Sequence, residues 1–198
     1  MPGPTVLAFD TAAAHCAAAI LSGGQTRAWV EPMAKGQAER LMPFLEACLA
    51  EAGLRWADLD ALGVGTGPGN FTGIRIAVAA ARGLALGLGK PAYGIDRFTV
   101  LADGQQRPIA ALVPAPRGQV YLRLFSADGA EAPQLVPEGT PPGAPLAPDL
   151  DAATSLSRIA AITAQRLADG LPAERPAPLY VRGAEAAPPR DPAPVLLP

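Results

Sequence analysis

The sequence predicts a mixed α/β fold. Short apolar segments of strand character recur through the first hundred residues, and two longer segments between them carry helical periodicity. Glycine-marked turns separate one from the next. Three hairpin-joined strands followed by helix–strand–helix–strand require crossovers in the later half, and so a sheet with both antiparallel and parallel pairs.

Residues 5–9 read as a buried strand ended by Asp10-Thr11, and residues 16–21 as a second strand. Ser22-Gly23-Gly24 supplies a hairpin turn into a third strand at 26–31. Helical spacing then spans 37–52. Leu41, Leu45, Cys48 and Ala52 form one stripe, Met42 and Leu49 its shoulder, while Glu39, Arg40 and Glu46 fall elsewhere. Pro43 removes one backbone bond inside this pattern, which predicts a kink or a late start, and Gly53 is a natural stop. Residues 60–65 read as a short buried strand, Gly67-Pro68-Gly69 as a turn, 70–88 as a second helix ended by Gly89, and 91–95 as the next strand. A short helix is expected over 97–101. Beyond it, 109–113 and 119–125 alternate like strands around Arg117-Gly118, 137–148 reads as loop, and 155–168 as a last helix. Fourteen of the 23 prolines lie in the last third, and 188–198 reads as a disordered tail.

Composition narrows the function classes. The 198 residues allow one compact domain or two small ones. With 42 alanines inside a 49% hydrophobic content, large core-filling side chains are few and helices must pack closely. A net charge of −2, with only Lys35 and Lys90 beside the arginines, gives no sequence-independent grip on phosphate backbones, so autonomous nucleic-acid binding is disfavoured. Residues 1–4 are not basic, 6–9 are too short for a signal sequence, and the apolar stretch 74–88 holds Arg75 and Arg82 and falls short of a membrane span. A soluble cytoplasmic protein with Cys16 and Cys48 reduced and buried is expected. His15 is the single histidine; it reads as a strand-edge or turn residue, and no second imidazole exists to share a metal.

The run Gly65-Thr66-Gly67-Pro68-Gly69-Asn70-Phe71-Thr72-Gly73-Ile74-Arg75 joins a buried strand to a helix. Exposed glycine amides at a helix N-terminus suit an anion. The run lacks the Gly-Lys-Ser/Thr of a P-loop, and Asn70 stands where a dinucleotide motif needs its third glycine. A tight turn, with Gly73 permitting close packing, reads the same residues equally well. In the helix that follows, Arg75 and Arg82 are the only charges and lie within about 20° of each other on the wheel. Such a helix must be buried nearly all round, in its own fold or against a partner. Gly73, Ala77, Ala81 and Ala85 recur every fourth residue as a flat ridge, expected with the exposed part of 37–52 to form a partner interface.

Leu7-Ala8-Phe9-Asp10-Thr11, the run from Gly67 to Arg75, and Pro178-Leu179-Tyr180-Val181-Arg182 closely resemble the TsaB family, a bacterial subunit of the machinery that makes threonylcarbamoyladenosine next to the tRNA anticodon. The likeness spans residues 6–182. It implies an α/β, actin/Hsp70-like fold of two RNase-H-like lobes with mixed sheets, the second lobe degenerate, divided here as 1–102, 103–183 and a disordered tail at 184–198. It implies a non-catalytic scaffold that pairs with a TsaD-like catalytic subunit through a bundle of the first two helices of each, joined by a TsaE-like ATPase. The interface is then expected at Leu41, Leu45, Cys48, Gly73, Ile74, Ala77, Val78, Ala81, Leu84 and Ala85, with tRNA met only through the complex. A homodimer is the expected resting form without the partner. No tightly bound cofactor and no metal are expected; ATP or ADP at the partner interface would meet Asp10, Thr11, Gly67, Gly69, Thr72 and Arg75.

Two positions depart from the family. Gln37 stands where members often carry a histidine, and Pro114 and Pro116 replace an acid and an arginine before Gly118-Gln119-Val120-Tyr121. The rival expectation is a self-sufficient ATP-using or glycoprotease-type enzyme of the same fold, for which Asp10 and Thr11 at the first strand's end would contact magnesium and phosphate; an ordinary turn cap is the plainer role for Asp10.

Overall fold

The computed structural model describes residues 3–181; Arg182 and the expected tail at 184–198 lie outside the described residues. Strands β1 (Val6–Asp10), β2 (His15–Ser22) and β3 (Gln25–Pro32) run into helix α1 (Gln37–Glu51). Next come β4 (Ala61–Gly65), α2 (Phe71–Leu88), β5 (Ala92–Ile95) and the short α3 (Arg97–Ala102). The five strands form one sheet in the order β3-β2-β1-β4-β5, with β1 antiparallel to β2 but parallel to β4, and β4 parallel to β5. The mixed α/β class is therefore as expected.

Central β1 is apolar at successive positions because both of its faces are covered. Leu7 and Phe9 turn to one side and join Leu41, Leu45, Cys48, Ala77 and Val78 of α1 and α2. Val6 and Ala8 turn to the other and meet α4 (Ala152–Ala168) at Leu156, Ile159 and Ala160. On that second face the strands offer Ala8, Ala17, Ala19 and Ala61, so α4 lies close to the backbone. Gly63 marks the nearest approach, since a Cβ there would meet Thr163 Oγ1 at 2.4 Å and Ile159 Cγ2 at 3.0 Å. Here much of the alanine content finds its use.

A second, smaller sheet holds β6 (Ile109–Ala115), β7 (Gln119–Ser126), β8 (Gly129–Ala130) and β9 (Gln134–Pro137), all antiparallel, with both β8 and β9 paired to β7. Phe98 and Leu101 of α3 pack on it against Ala111, Val113 and Phe125. The division at residue 102 needs one correction: α4 follows the second sheet in sequence but covers the first. Nothing in its periodicity could say which sheet it would face.

Three local expectations also change. Helix α1 begins at Gln37 and continues through Pro43, whose ring lies on the exposed side. Strands β8 and β9, two and four residues long, are too short to stand out. Helix α2 passes the length and composition test for a membrane span, which the shorter segment 74–88 did not. It is nonetheless a core helix, with Gly73, Ile74, Ala77, Val78 and Ala81 buried on its inner side.

After α4 an irregular segment returns along α2 and the β5 edge. Tyr93 Oη donates to Leu171 O (3.0 Å), Arg82 Nε to Pro176 O (2.6 Å), and Leu179 N to Thr66 O (2.8 Å). Pro172, Pro176 and Pro178 have no N–H to extend a ladder, so the segment covers the edge without continuing it.

Cys16 and Cys48 are both buried and unbridged. Burial pushes the Cys16 thiol up to about 11 and the Cys48 thiol to about 12. The thiolate is the reactive species. Native protein at pH 8 is therefore expected to react with dithionitrobenzoate far more slowly than unfolded protein, with both thiols released together on adding denaturant.

Candidate functional site

The loop between β4 and α2 is fastened to the turn after β1. Asn70 N donates to Ala12 O at 2.7 Å, and Thr11 Oγ1 donates to Gly73 O at 2.6 Å. A Cβ on Gly69 would lie 2.6 Å from Ala12 O, and one on Gly73 only 1.9 Å from Thr11 O. These glycines serve close packing. The helix end is also spoken for: Asn70 Oδ1 accepts from Gly73 N at 2.9 Å, so the first turn of α2 is capped from within. Of the two readings open for this run, the tight turn describes it.

Beside the loop lies a cleft of about 250 Å³ between the ends of β1, β2 and β5 and the first turns of α4. Asp10, His15, Gly67 and Arg97 line its polar side, and Val100, Leu156 and Ile159 its apolar side. Ala12 N donates to Asp10 Oδ1 at 2.7 Å. Burial pushes the Asp10 carboxyl above its ordinary 3.8, against the opposing pull of the Ala12 N–H, the nearby His15, the Thr11 N–H and Arg97. Burial likewise holds His15 below 6.5, with Asp10 opposing and Arg97 reinforcing. Thr11 contributes nothing to this cleft, because its only hydroxyl proton goes to Gly73 O.

The two shifts have opposite consequences for stability. Asp10 holds its proton in the folded state above pH 3.8, where the unfolded chain has lost it, so its contribution falls as pH rises through that window. His15 takes up a proton in the unfolded chain first as pH drops below 6.5, so its contribution falls on acidification. Asp10→Asn keeps an acceptor for Ala12 N and removes the buried charge. The variant is expected to melt higher than the parent at pH 7, with the difference shrinking towards pH 4, as measured by thermal unfolding across that range.

The structure separates the other expected site residues. Gly69 and Arg75 line a groove with Phe71, Tyr121 and Tyr180, while Thr72 lies in a depression with Lys35 and Gln37 at the start of α1. The expected interface residues Leu41, Leu45, Cys48, Gly73, Ile74, Ala77, Val78 and Ala81 are buried in the chain's own core, and Leu84 and Ala85 are half-buried beside them. The ridge expected to meet a partner thus meets the chain's own β1 and β4. Small residues allow close approach to a strand as well as to a foreign helix, and periodicity does not distinguish the two. The surface α2 presents outward is Thr72, Ala79, Gly83, Leu86 and Gly87, and α1 offers Pro43, Glu46, Ala47 and Ala50. Leu86 is 87% exposed, and a Cβ on Gly83 or Gly87 would meet nothing within 4 Å.

Residues 31–139 match the family model described as TsaD, tRNA N6-adenosine threonylcarbamoyltransferase. The tRNA threonylcarbamoyladenosine biosynthesis protein TsaB of Escherichia coli is 34% identical over 128 residues, and its Haemophilus influenzae namesake 33% over 127. Each alignment covers 62% of this chain. The chain belongs to the TsaB family. It spans just over half the length of these curated relatives, 55% and 54% respectively. Among solved structures, YeaZ from Pseudomonas aeruginosa superposes with a TM-score of 0.70 at 26% identity, over 89% of this chain and 99% of that one.

In this TsaB-family chain the C-terminal motif closes onto the loop. Tyr180 packs on Phe71 with ring centroids 5.3 Å apart, and Arg75 lies 3.7 Å over the Phe71 ring while its Nε donates to Tyr180 Oη at 2.9 Å. Gln37 Nε2 donates to Met33 O at 3.3 Å, at the start of α1. Among the described residues no group of three His, Cys, Asp or Glu side chains is placed to hold a metal. Pro114 lies within β6 and Pro116 opens the β6–β7 turn, in which Arg117 and Gly118 both take positive φ. Sequence reasoning missed Arg97. Its place just beyond the carboxyl end of a parallel strand was the available signal, since open α/β sheets gather their ligands there.

Proposed function

We propose that the protein is a non-catalytic scaffold in threonylcarbamoylation of the tRNA adenosine next to the anticodon. It pairs through α1 and α2 with a TsaD-like catalytic subunit, which a TsaE-like ATPase joins. The outward face of α2 carries this reading. Gly83 and Gly87 sit inside a helix, exposed and uncrowded, where each is less favourable than alanine by about 0.5–1 kcal/mol. Among the described residues nothing needs them to be glycine. A partner helix packed at the usual 8–10 Å, or closer, would. The bared Leu86 beside them adds apolar area to the same face.

Other features support the finer parts. The mixed five-stranded sheet followed by a smaller four-stranded one suits an actin/Hsp70-like pair of RNase-H-like lobes, the second degenerate. ATP or ADP held at the partner interface would reach this chain through Gly69, Thr72 and Arg75, the expected contacts that are exposed. A charge of −2 leaves tRNA to the assembled complex. Unbridged buried thiols suit the cytoplasm. With no partner present, two copies meeting through the same face form the resting homodimer.

The test is tRNA modification reconstituted from purified subunits, each omitted in turn. Product is expected only with this chain present, and none from this chain with ATP and magnesium alone. ATP turnover by the isolated chain that Asp10→Ala abolishes would instead establish the self-sufficient enzyme.

A further inference from the structure

Among the described residues three buried side-chain nitrogen or oxygen atoms lack a hydrogen-bond partner: His15 Nε2, Arg97 Nε and Thr163 Oγ1. Two of the three belong to residues lining one cleft, the 250 Å³ space beside Asp10. A buried polar atom left unpaired costs about 1–3 kcal/mol, so two on one wall call for an occupant. We propose that this cleft binds a small aliphatic α-amino acid.

The chemistry of the walls selects that class. Arg97 Nε can only donate, so the occupant must bring an acceptor, and beside a guanidinium a carboxylate is the natural one. Asp10 accepts from Ala12 N through Oδ1, with the Thr11 N–H also acting on the carboxyl, and its remaining lone pairs can accept from an ammonium group. His15 is kept neutral by burial, so its Nε2 can either accept from that ammonium or donate to the carboxylate. Arg97 Nη2 lies 3.8 Å from the exposed carboxylate of Asp149 and also acts through space on Asp10, so opposite charges already meet at the cleft. A zwitterion adds no net charge to this enclosed site, whereas a bare anion would face Asp10 and a bare cation Arg97. The opposite wall of Val100, Leu156 and Ile159 suits a short branched hydrocarbon. The volume lies below the roughly 300–1,000 Å³ of pockets for drug-sized ligands, which favours a molecule of amino-acid size. The inference rests on the cleft alone and holds or fails independently of the scaffold reading.

The chain has a single histidine, so imidazole NMR signals of histidine-labelled protein report this cleft without ambiguity. The probes are L-valine, isovalerate, which lacks the amine, and isobutylamine, which lacks the carboxylate. L-valine is expected to shift the His15 signals saturably with Kd in the region of 1 mM, and each half-molecule to bind at least about tenfold more weakly. Arg97→Lys removes the Nε donor but keeps the charge. It should weaken L-valine about tenfold and leave isobutylamine unchanged, with unliganded His15 signals showing that the cleft is intact. No saturable shift with L-valine up to roughly 50 mM would overturn the proposal and leave trapped water as the partner of His15 and Arg97. Isovalerate binding as tightly as L-valine would overturn it too, as would full affinity in Arg97→Lys.

Discussion

Alanine at Gly73 is expected to lower stability by about 4 kcal/mol, in the range reserved for a few severe mechanisms. The added Cβ would lie 1.9 Å from Thr11 O and 2.8 Å from Thr11 C, both backbone atoms that cannot rotate aside. Both partners are also held in place. Thr11 Oγ1 donates to Gly73 O, and Gly73 N donates to Asn70 Oδ1. Relief would require α2 to move away from β1, opening the core among Phe9, Ile74 and Ala77. For a chain of this size 1 kcal/mol moves the midpoint by roughly 2–4 °C, so thermal unfolding should show a fall of about 8–16 °C. Gly83→Ala in the same helix is the control. Its Cβ meets nothing, and it is expected to gain about 0.5–1 kcal/mol. Equal melting of the two variants would contradict the packing described here.

The second large effect is on association. Leucine at Gly83 projects from the outward face of α2 into open space, so the isolated chain should melt no lower than the parent, and slightly higher through the loss of a mid-helix glycine. Against a partner helix the same side chain overpacks a close contact, at about 1–3 kcal/mol, or roughly 5- to 150-fold in affinity. Titration of Gly83→Leu against the catalytic subunit measures this. The corresponding change at Ala81 would damage the chain's own core instead, because Ala81 is fully buried there.

Much of the fold was legible in the sequence because its first hundred residues obey simple patterns. The continuous apolar run of β1, the stripe of Leu41, Leu45 and Cys48, the Asn70 start and the Gly89 stop of α2 all stand in the structure within a residue or two. The errors came where a tertiary choice decides. A four-residue repeat of small side chains fits the chain's own strands as well as a foreign helix, and only the packed molecule shows that Gly73, Ala77 and Ala81 face inward. Helix α4 could have covered either sheet. The Thr11 hydroxyl proton goes to Gly73 O, a pairing across 62 residues that no sequence pattern displays. His15 gave no signal by itself and Arg97 only its place at a strand end; their importance lies in two unpaired nitrogens on residues lining one cleft.

Hydrogen exchange on the outward helical face tests the scaffold claim most directly. Deuterium uptake would be followed in the chain alone and with a saturating TsaD-like subunit. Slowed exchange is expected in α2 around Ala79, Gly83 and Gly87 and in α1 around Ala47 and Ala50, with β7 and β9 unchanged. Protection confined to the second sheet, with α1 and α2 exchanging as in the free chain, would contradict the pairing proposed here.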